Sequence, residues 1–210
     1  MKELDKISKL SLIPLYTKAK MNDFYSKVLV DNLRREYNIT VNYEAAFDRG
    51  CLKRGAIFDY LVSRWIVSNP EGRILNIGCG FCTRFWRLDN GSIYWIDSDF
   101  SNDILEVKKE TFPKTKRYET IAYDLRNSFH DIGVKYDLVI AEGVLMYLPE
   151  NRAKHIVSKR SVIFDAADPA SNPGGPKLWS YEEENWKNMN ISERIYYKTA
   201  SGLHPVLMSL

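Results

Sequence analysis

An apolar run, Ile74-Leu-Asn-Ile77, enters a glycine pair, Gly78-Cys-Gly80. After roughly twenty residues a second apolar run, Ile93 to Ile96, delivers two carboxylates, Asp97 and Asp99, which is the layout of a nucleoside-binding βαβ unit. The first glycine allows the sharp strand-to-loop turn, and Gly80 removes the Cβ that would keep a ligand off the backbone. A carboxylate at the tip of the second strand can accept both hydroxyls of a ribose. Where a dinucleotide fingerprint carries its third glycine the chain has Thr83, so a pyrophosphate gets no bare helix N-terminus. The pattern points away from NAD and toward an adenosyl ligand without phosphates, S-adenosylmethionine.

The rest of the chain extends this unit. Tyr25, Leu29, Leu33 and Tyr37 recur every four residues and predict an amphipathic helix over 23–37. The apolar pairs Ile57-Phe58, Leu61-Val62 and Trp65-Ile66 predict a second over 51–67, ended by Asn69-Pro70. Strands are expected at 74–78, 92–97, 118–122, 136–141 and 161–165, with helices near 81–88, 102–112 and 149–158 between them. The alternation predicts an α/β, Rossmann-like fold, a mostly parallel sheet flanked by helices. Residues 1–69 read as an N-terminal helical extension covering the cofactor site, and 70–210 as the core. Beyond Asp165 the chain turns rich in Pro, Gly and Ser over 168–176, then acidic and aromatic from Trp179 to Trp186. A lid, a substrate loop or a surface linker has this composition, and 194–199 reads as a last strand.

Composition narrows the partners. At 210 residues with 45% hydrophobic content, the chain can bury one full core and is short for two domains. The 30 basic and 27 acidic side chains interleave, which predicts a solvated surface and no nucleic-acid footprint. No run of apolar residues is long enough to span a bilayer and no signal peptide is evident, so no membrane contact and a cytoplasmic location are expected. Cys51, Cys79 and Cys82 make an odd count, against a disulfide framework. Cys79-Gly-Phe-Cys82 has dithiol spacing, and its ordinary reading is two small residues packed in a tight loop. No metal is expected, because His130, His155 and His204 stand singly and far from this pair.

Several segments together resemble the leucine carboxyl methyltransferase family, in its bacterial branch similar to the tetracenomycin carboxyl O-methyltransferase. They are Ser11-Leu-Ile-Pro-Leu-Tyr16, Arg49-Gly-x-x-x-Arg54, Asn76-Ile-Gly-Cys-Gly-Phe-x-Thr-Arg-Phe-Trp-Arg-Leu88, Asp97-x-Asp99-Phe and Ala141-Glu-Gly-Val-Leu-Met-Tyr-Leu-Pro149. The resemblance implies a class I S-adenosylmethionine-dependent O-methyltransferase, methylating a carboxylate or hydroxyl of a small molecule or a peptide terminus. It implies that Arg54 holds the cofactor carboxylate, that Gly78 lies against its methionine portion, and that Glu142 meets its ammonium. Asp99 would take the ribose, with Asp97 the rival that a generic nucleotide-binding strand would favour, and Asp124 and Leu125 would bracket the adenine. Tyr147 and Lys18 would orient the acceptor.

The chain departs from the family at Cys82, where an Asp is usual, and at Ser101, where a Pro is usual. It also ends at Leu210, so the antiparallel strand pair that closes the sheet is expected to be abbreviated or absent. A missing closure would leave a sheet edge to cover and predicts a homodimer or low stability. Two other functions are compatible with these departures: a cofactor-binding protein without turnover, and a dithiol redox protein built on Cys79 and Cys82.

Overall fold

A computed structural model describes residues 4–40, 45–127, 132–159, 161–166, 190–199 and 202–209. Among them, seven strands form one sheet in the order β3-β2-β1-β4-β5-β7-β6. The strands are β1 (Arg73–Ile77), β2 (Tyr94–Asp99), β3 (Tyr118–Ala122), β4 (Leu138–Ala141), β5 (Val162–Asp165), β6 (Ile191–Thr199) and β7 (Gly202–Ser209). The first five are parallel, and β7 runs antiparallel to both β5 and β6.

The expectation of a missing sheet closure is therefore corrected. β6 and β7 pair from Ile191 with Ser209 to Thr199 with Gly202, with one irregularity near Glu193. The uncovered β5 edge that argued for a homodimer is covered by β7. Residues 194–199 belong to the penultimate strand, because 202–209 supplies another despite Pro205. That proline lies just past the last β5 pair, Asp165 with Val206, where a missing N–H interrupts little of the ladder.

Among the described residues seven α-helices flank the sheet: α1 (Lys6–Leu10), α2 (Leu12–Lys20), α3 (Phe24–Tyr37), α4 (Ala45–Ser68), α5 (Arg84–Leu88), α6 (Asn102–Thr111) and α7 (Glu150–Val157). α3 starts where the Asp23 carboxylate accepts the Ser26 N–H at 2.7 Å, and it ends at Asn38 in the left-handed conformation, φ 51°. α4 buries Phe58, Leu61, Val62, Trp65 and Ile66 against Ile74, Trp95, Leu138, Ile140 and Ile163 of the sheet. Truncating one of these, Leu61→Ala for example, costs about 2–5 kcal/mol. The opposite face, from Leu75 and Ile77 to Phe164 and Leu207, packs on Ala153, Ile156 and Val157 of α7. A third cluster joins Leu12, Leu15 and Tyr16 of α2 and Leu29 and Leu33 of α3 to Ile104 and Val107 of α6 and to Phe81 of the glycine loop.

One boundary matters for the site. β2 begins at Tyr94, two residues later than the strand expected at 92–97, because Asn90 Oδ1 accepts the Ser92 and Ile93 N–H groups in a tight turn at 2.9 and 2.7 Å. The shift carries Asp97 into the body of the strand and makes Asp99 its last residue.

Candidate functional site at the C-terminal ends of β1, β2, β4 and β5

The strand order reverses between β1 and β4, the point at which an open parallel sheet leaves a crevice beyond its carboxyl ends. The loop leaving β1 turns through Gly78 at φ 55° and Gly80 at φ 47°, a region costly for any residue with a Cβ. A Cβ on Gly78 would lie 2.5 Å from Val144 Cγ2, and one on Gly80 would lie 2.5 Å from Ser11 Cβ. The N-terminal segment, through Ser11, is thus seated on Gly80.

The two carboxylates of β2 lie on the same strand face, and they differ in their surroundings. Asp97 is 2% exposed and accepts from Asn76 Nδ2 (2.8 Å), Trp95 Nε1 (2.8 Å), Tyr118 OH (2.6 Å) and Lys108 Nζ. Four donors thus occupy the carboxylate that a generic nucleotide-binding strand would offer to a ribose. Asp99, at the strand tip, accepts from two backbone N–H groups among the described residues, Gly80 at 2.8 Å and Ser101 at 3.0 Å. Burial raises the Asp99 pKa against those bonds and Lys108.

Across the crevice an alternating series of charges runs from β5 to α3. Glu142, just past β4, accepts from Arg54 Nε (3.1 Å) and Arg84 Nη2 (2.6 Å). Arg84, fully buried in α5, also donates from Nε to Asp59 of α4 (2.6 Å), and Asp59 is shared with Arg87, which lies 3.5 Å from Asp23. At the other end Arg54 Nη1 lies 3.5 Å from Asp165 Oδ2, and Asp165 Oδ1 accepts the Gly143 N–H at 2.6 Å. Burial would raise the pKa of Glu142, yet Arg84, Arg54 and Lys18 outweigh it and hold the carboxyl well below its usual range. For Asp59, burial is likewise outweighed, here by Arg84 and Arg87. Asp165 goes the other way: burial pushes it up and Arg54 offsets only part of that.

Lys18 of α2 packs over Gly55, where a Cβ would meet its Cε at 3.0 Å and its Nζ at 3.2 Å. Tyr147 ends a single 3₁₀ turn, Leu145–Tyr147, and is half-buried within the fields of Arg54 and Asp165. The structure thus gathers Arg54, Glu142, Tyr147 and Lys18 on one side of the crevice and Gly78, Gly80 and Asp99 on the other. It does not bring in the adenine pair in the expected form. Leu125 lies in the core with Ile77 and Leu145, and the Asp124 carboxylate is held by the Arg126 backbone N–H (2.9 Å) and side-chain Nε (2.8 Å).

The two cysteines of the loop face different neighbours. Cys79 is buried with Lys108 Nζ 3.7 Å from its sulfur, and burial together with Asp97 pushes its thiol well up. Cys82 accepts from Arg84 Nη1 at 3.5 Å, and both thiols are free. Among the described residues no group of His, Cys, Asp and Glu is arranged to hold a metal ion, and no helix is long and apolar enough to cross a membrane.

No family model matches the chain. Its sequence is 25% identical over 176 residues to the tetracenomycin polyketide synthesis O-methyltransferase of Streptomyces glaucescens, covering 75% of this chain and 65% of that protein. A magnesium protoporphyrin IX methyltransferase of Synechocystis PCC 6803, solved with bound SAM, superposes with a TM-score of 0.59 over 99% of this chain and 98% of its own, at 17% identity. The N-methyltransferase NodS of Bradyrhizobium japonicum does so with a TM-score of 0.55 over 74% and 95%, at 14% identity. This is the Rossmann-like methyltransferase fold.

Within the methyltransferase fold, Asp59, Arg84, Arg87 and Asp165 join the crevice without having been singled out in the sequence. Arg84 was visible only as part of the Thr-Arg-Phe-Trp-Arg segment. Asp165 carried a usable signal, since like Glu142 it is an acid at the C-terminal end of a fully apolar strand.

Proposed function

We propose that the chain is an S-adenosylmethionine-dependent O-methyltransferase acting on a carboxylate of a small molecule, of the kind found in polyketide synthesis, or of a peptide terminus. The observation that carries this reading is the placing of Asp99 at the tip of β2 and of the Arg54–Glu142 pair just past β4, about the point where the strand order reverses. An adenosyl amino acid presents a diol to the first and a zwitterion to the second. Asp99 would accept from the ribose, Arg54 would take the carboxylate in its planar fork, Glu142 would meet the ammonium, and Asp124 would accept from the adenine amine by exchanging its exposed Arg126 contact. The bends at Gly78 and Gly80 bring the loop close to this groove, and helices α1 and α2, with Ser11 on Gly80 and Lys18 on Gly55, would form its roof.

When bound, S-adenosylmethionine supplies a methyl group on a sulfonium, already an excellent leaving group. The protein's task is alignment, and holding an acceptor oxygen in line at near-attack distance supplies most of the acceleration. The cationic side chains Lys18 and Arg54 favour an anionic acceptor, and Tyr147 can donate to one of its oxygens. A carboxylate is ionised at neutral pH and needs no general base, whereas a phenol would gain from one.

Ser11 seated on Gly80 favours one second reading, a donor-binding protein without turnover in which the roof stays shut. Incubation with donor labelled on the methyl group and a panel of small carboxylic acids and phenols separates the two. Base-labile label in the carboxylic acids is expected; donor binding with no label transferred to any acceptor supports the second reading instead.

A further inference from the structure

Two carboxylates flank Arg54, and only one of them has its oxygens committed. Glu142 gives one oxygen to Arg54 and the other to Arg84. Asp165 is 2% exposed, and its Oδ1 is bound to the Gly143 N–H at 2.6 Å. Among the described side chains its Oδ2 meets Arg54 Nη1, at 3.5 Å, beyond the range of a good N–H···O bond. A carboxylate oxygen held at that distance keeps acceptor capacity for a second, closer donor. The charges agree: Asp165, Glu142, Asp59 and Asp23 against Arg54, Arg84 and Arg87 leave one negative charge in excess along the series. Lys18 adds its positive charge at the Asp59 and Glu142 part of the series, away from Asp165.

We propose that Asp165 is a donor-binding residue whose Oδ2 takes the ammonium of the methionine moiety, between Arg54 and Tyr147. The assignment rests on the methyltransferase reading and moves the ammonium contact of that reading from Glu142 to Asp165. Glu142 then serves chiefly to hold Arg54 and Arg84 in place, and Asp165 supplies the acceptor that the amino group needs. Because Oδ1 fixes Gly143, the same side chain ties the chain after Glu142 to the ligand, so binding at Oδ2 orders both strand ends together.

The test is equilibrium binding of two ligands, S-adenosylhomocysteine and 5′-methylthioadenosine, which shares the adenosyl thioether and lacks the amino acid. Asp165→Asn keeps an acceptor for Gly143 and removes the charge. It is expected to weaken S-adenosylhomocysteine by about tenfold or more, the size of one charge-assisted hydrogen bond, and to leave 5′-methylthioadenosine within about twofold. Unchanged binding of S-adenosylhomocysteine overturns the proposal. So does an equal loss for both ligands, which marks a residue that only braces the loop. If the Asn variant does not fold, Asp165→Glu keeps the charge at a longer reach, and the same selective loss in smaller measure is expected of it. If the wild-type chain binds neither ligand, the methyltransferase reading fails and the assignment with it; binding of both with no selectivity in the variants sinks the assignment alone.

Discussion

The sheet carries two buried ionic clusters at its C-terminal end, and they are built to opposite purposes. Around Asp97 every oxygen has its donors, Lys108 is fully buried, and Tyr118, Trp95 and Asn76 close the rest. Around Glu142 the charges are strung out between four elements, Arg54 is partly exposed, and Asp165 keeps an oxygen in reserve. A closed cluster contributes a fixed shape to the core, and a small ligand could enter it only by breaking several bonds at once. An open one can exchange partners at the cost of a single long contact. Chemistry of the same kind, carboxylate against cation, thus separates into framework and site by the number of donors left over.

Four substitutions or conditions can break or sharpen this contrast. Arg84→Ala strips a guanidinium from two carboxylates at once, and breaking a buried pair costs about 3–5 kcal/mol, so chemical denaturation should show a loss of that size or more together with loss of donor binding. Lys108→Met orphans Asp97 and is expected to cost about 3–5 kcal/mol in the same measurement, whereas Lys108→Met combined with Asp97→Leu should recover most of it, since apolar replacement of a buried pair is often neutral. In the folded double variant donor affinity should be near wild type, and a large loss there would mean that the closed cluster is part of the site.

Asp99→Ala should weaken donor binding by about 1.5–3 kcal/mol for each charge-assisted bond it removes, read by calorimetric titration. The smallest effect is in pH. Glu142 and Asp59 have depressed folded-state pKa values, so the stability they contribute is present above their unfolded values, about pH 4, and is lost as pH falls below that. Asp99 and Asp165, raised by burial, act in the opposite sense. Thermal melts from neutral to acid pH should therefore show a steep acid loss in the wild type and a shallower one in Glu142→Gln.

Much of this architecture is legible in the chain. β1, β2, β4, β5 and the long helices announce themselves because each buries a run or stripe of apolar residues, which is a local property of the sequence. The misses have physical causes. The choice between Asp97 and Asp99 turned on a two-residue shift of β2, set by the Asn90 turn. β7 was hidden by His204 and Pro205, residues that a strand pattern does not favour and that lie past the end of the β5 pairing. α2 is short, and its packing with Phe81 and α6 is a tertiary fact. Asp59 and Arg84 look like solvated charges on amphipathic helices; only folding brings them to Glu142, from residues far apart in sequence.

The central claim is that the ends of β1, β2 and β4 hold an adenosyl amino acid. Titration calorimetry of S-adenosylmethionine into the wild-type chain and into Asp99→Ala tests it most directly. One saturable equivalent in the wild type, markedly weaker in the variant, is the predicted result. A folded wild-type chain that gives no binding, or a variant that binds as well as the parent, would contradict it.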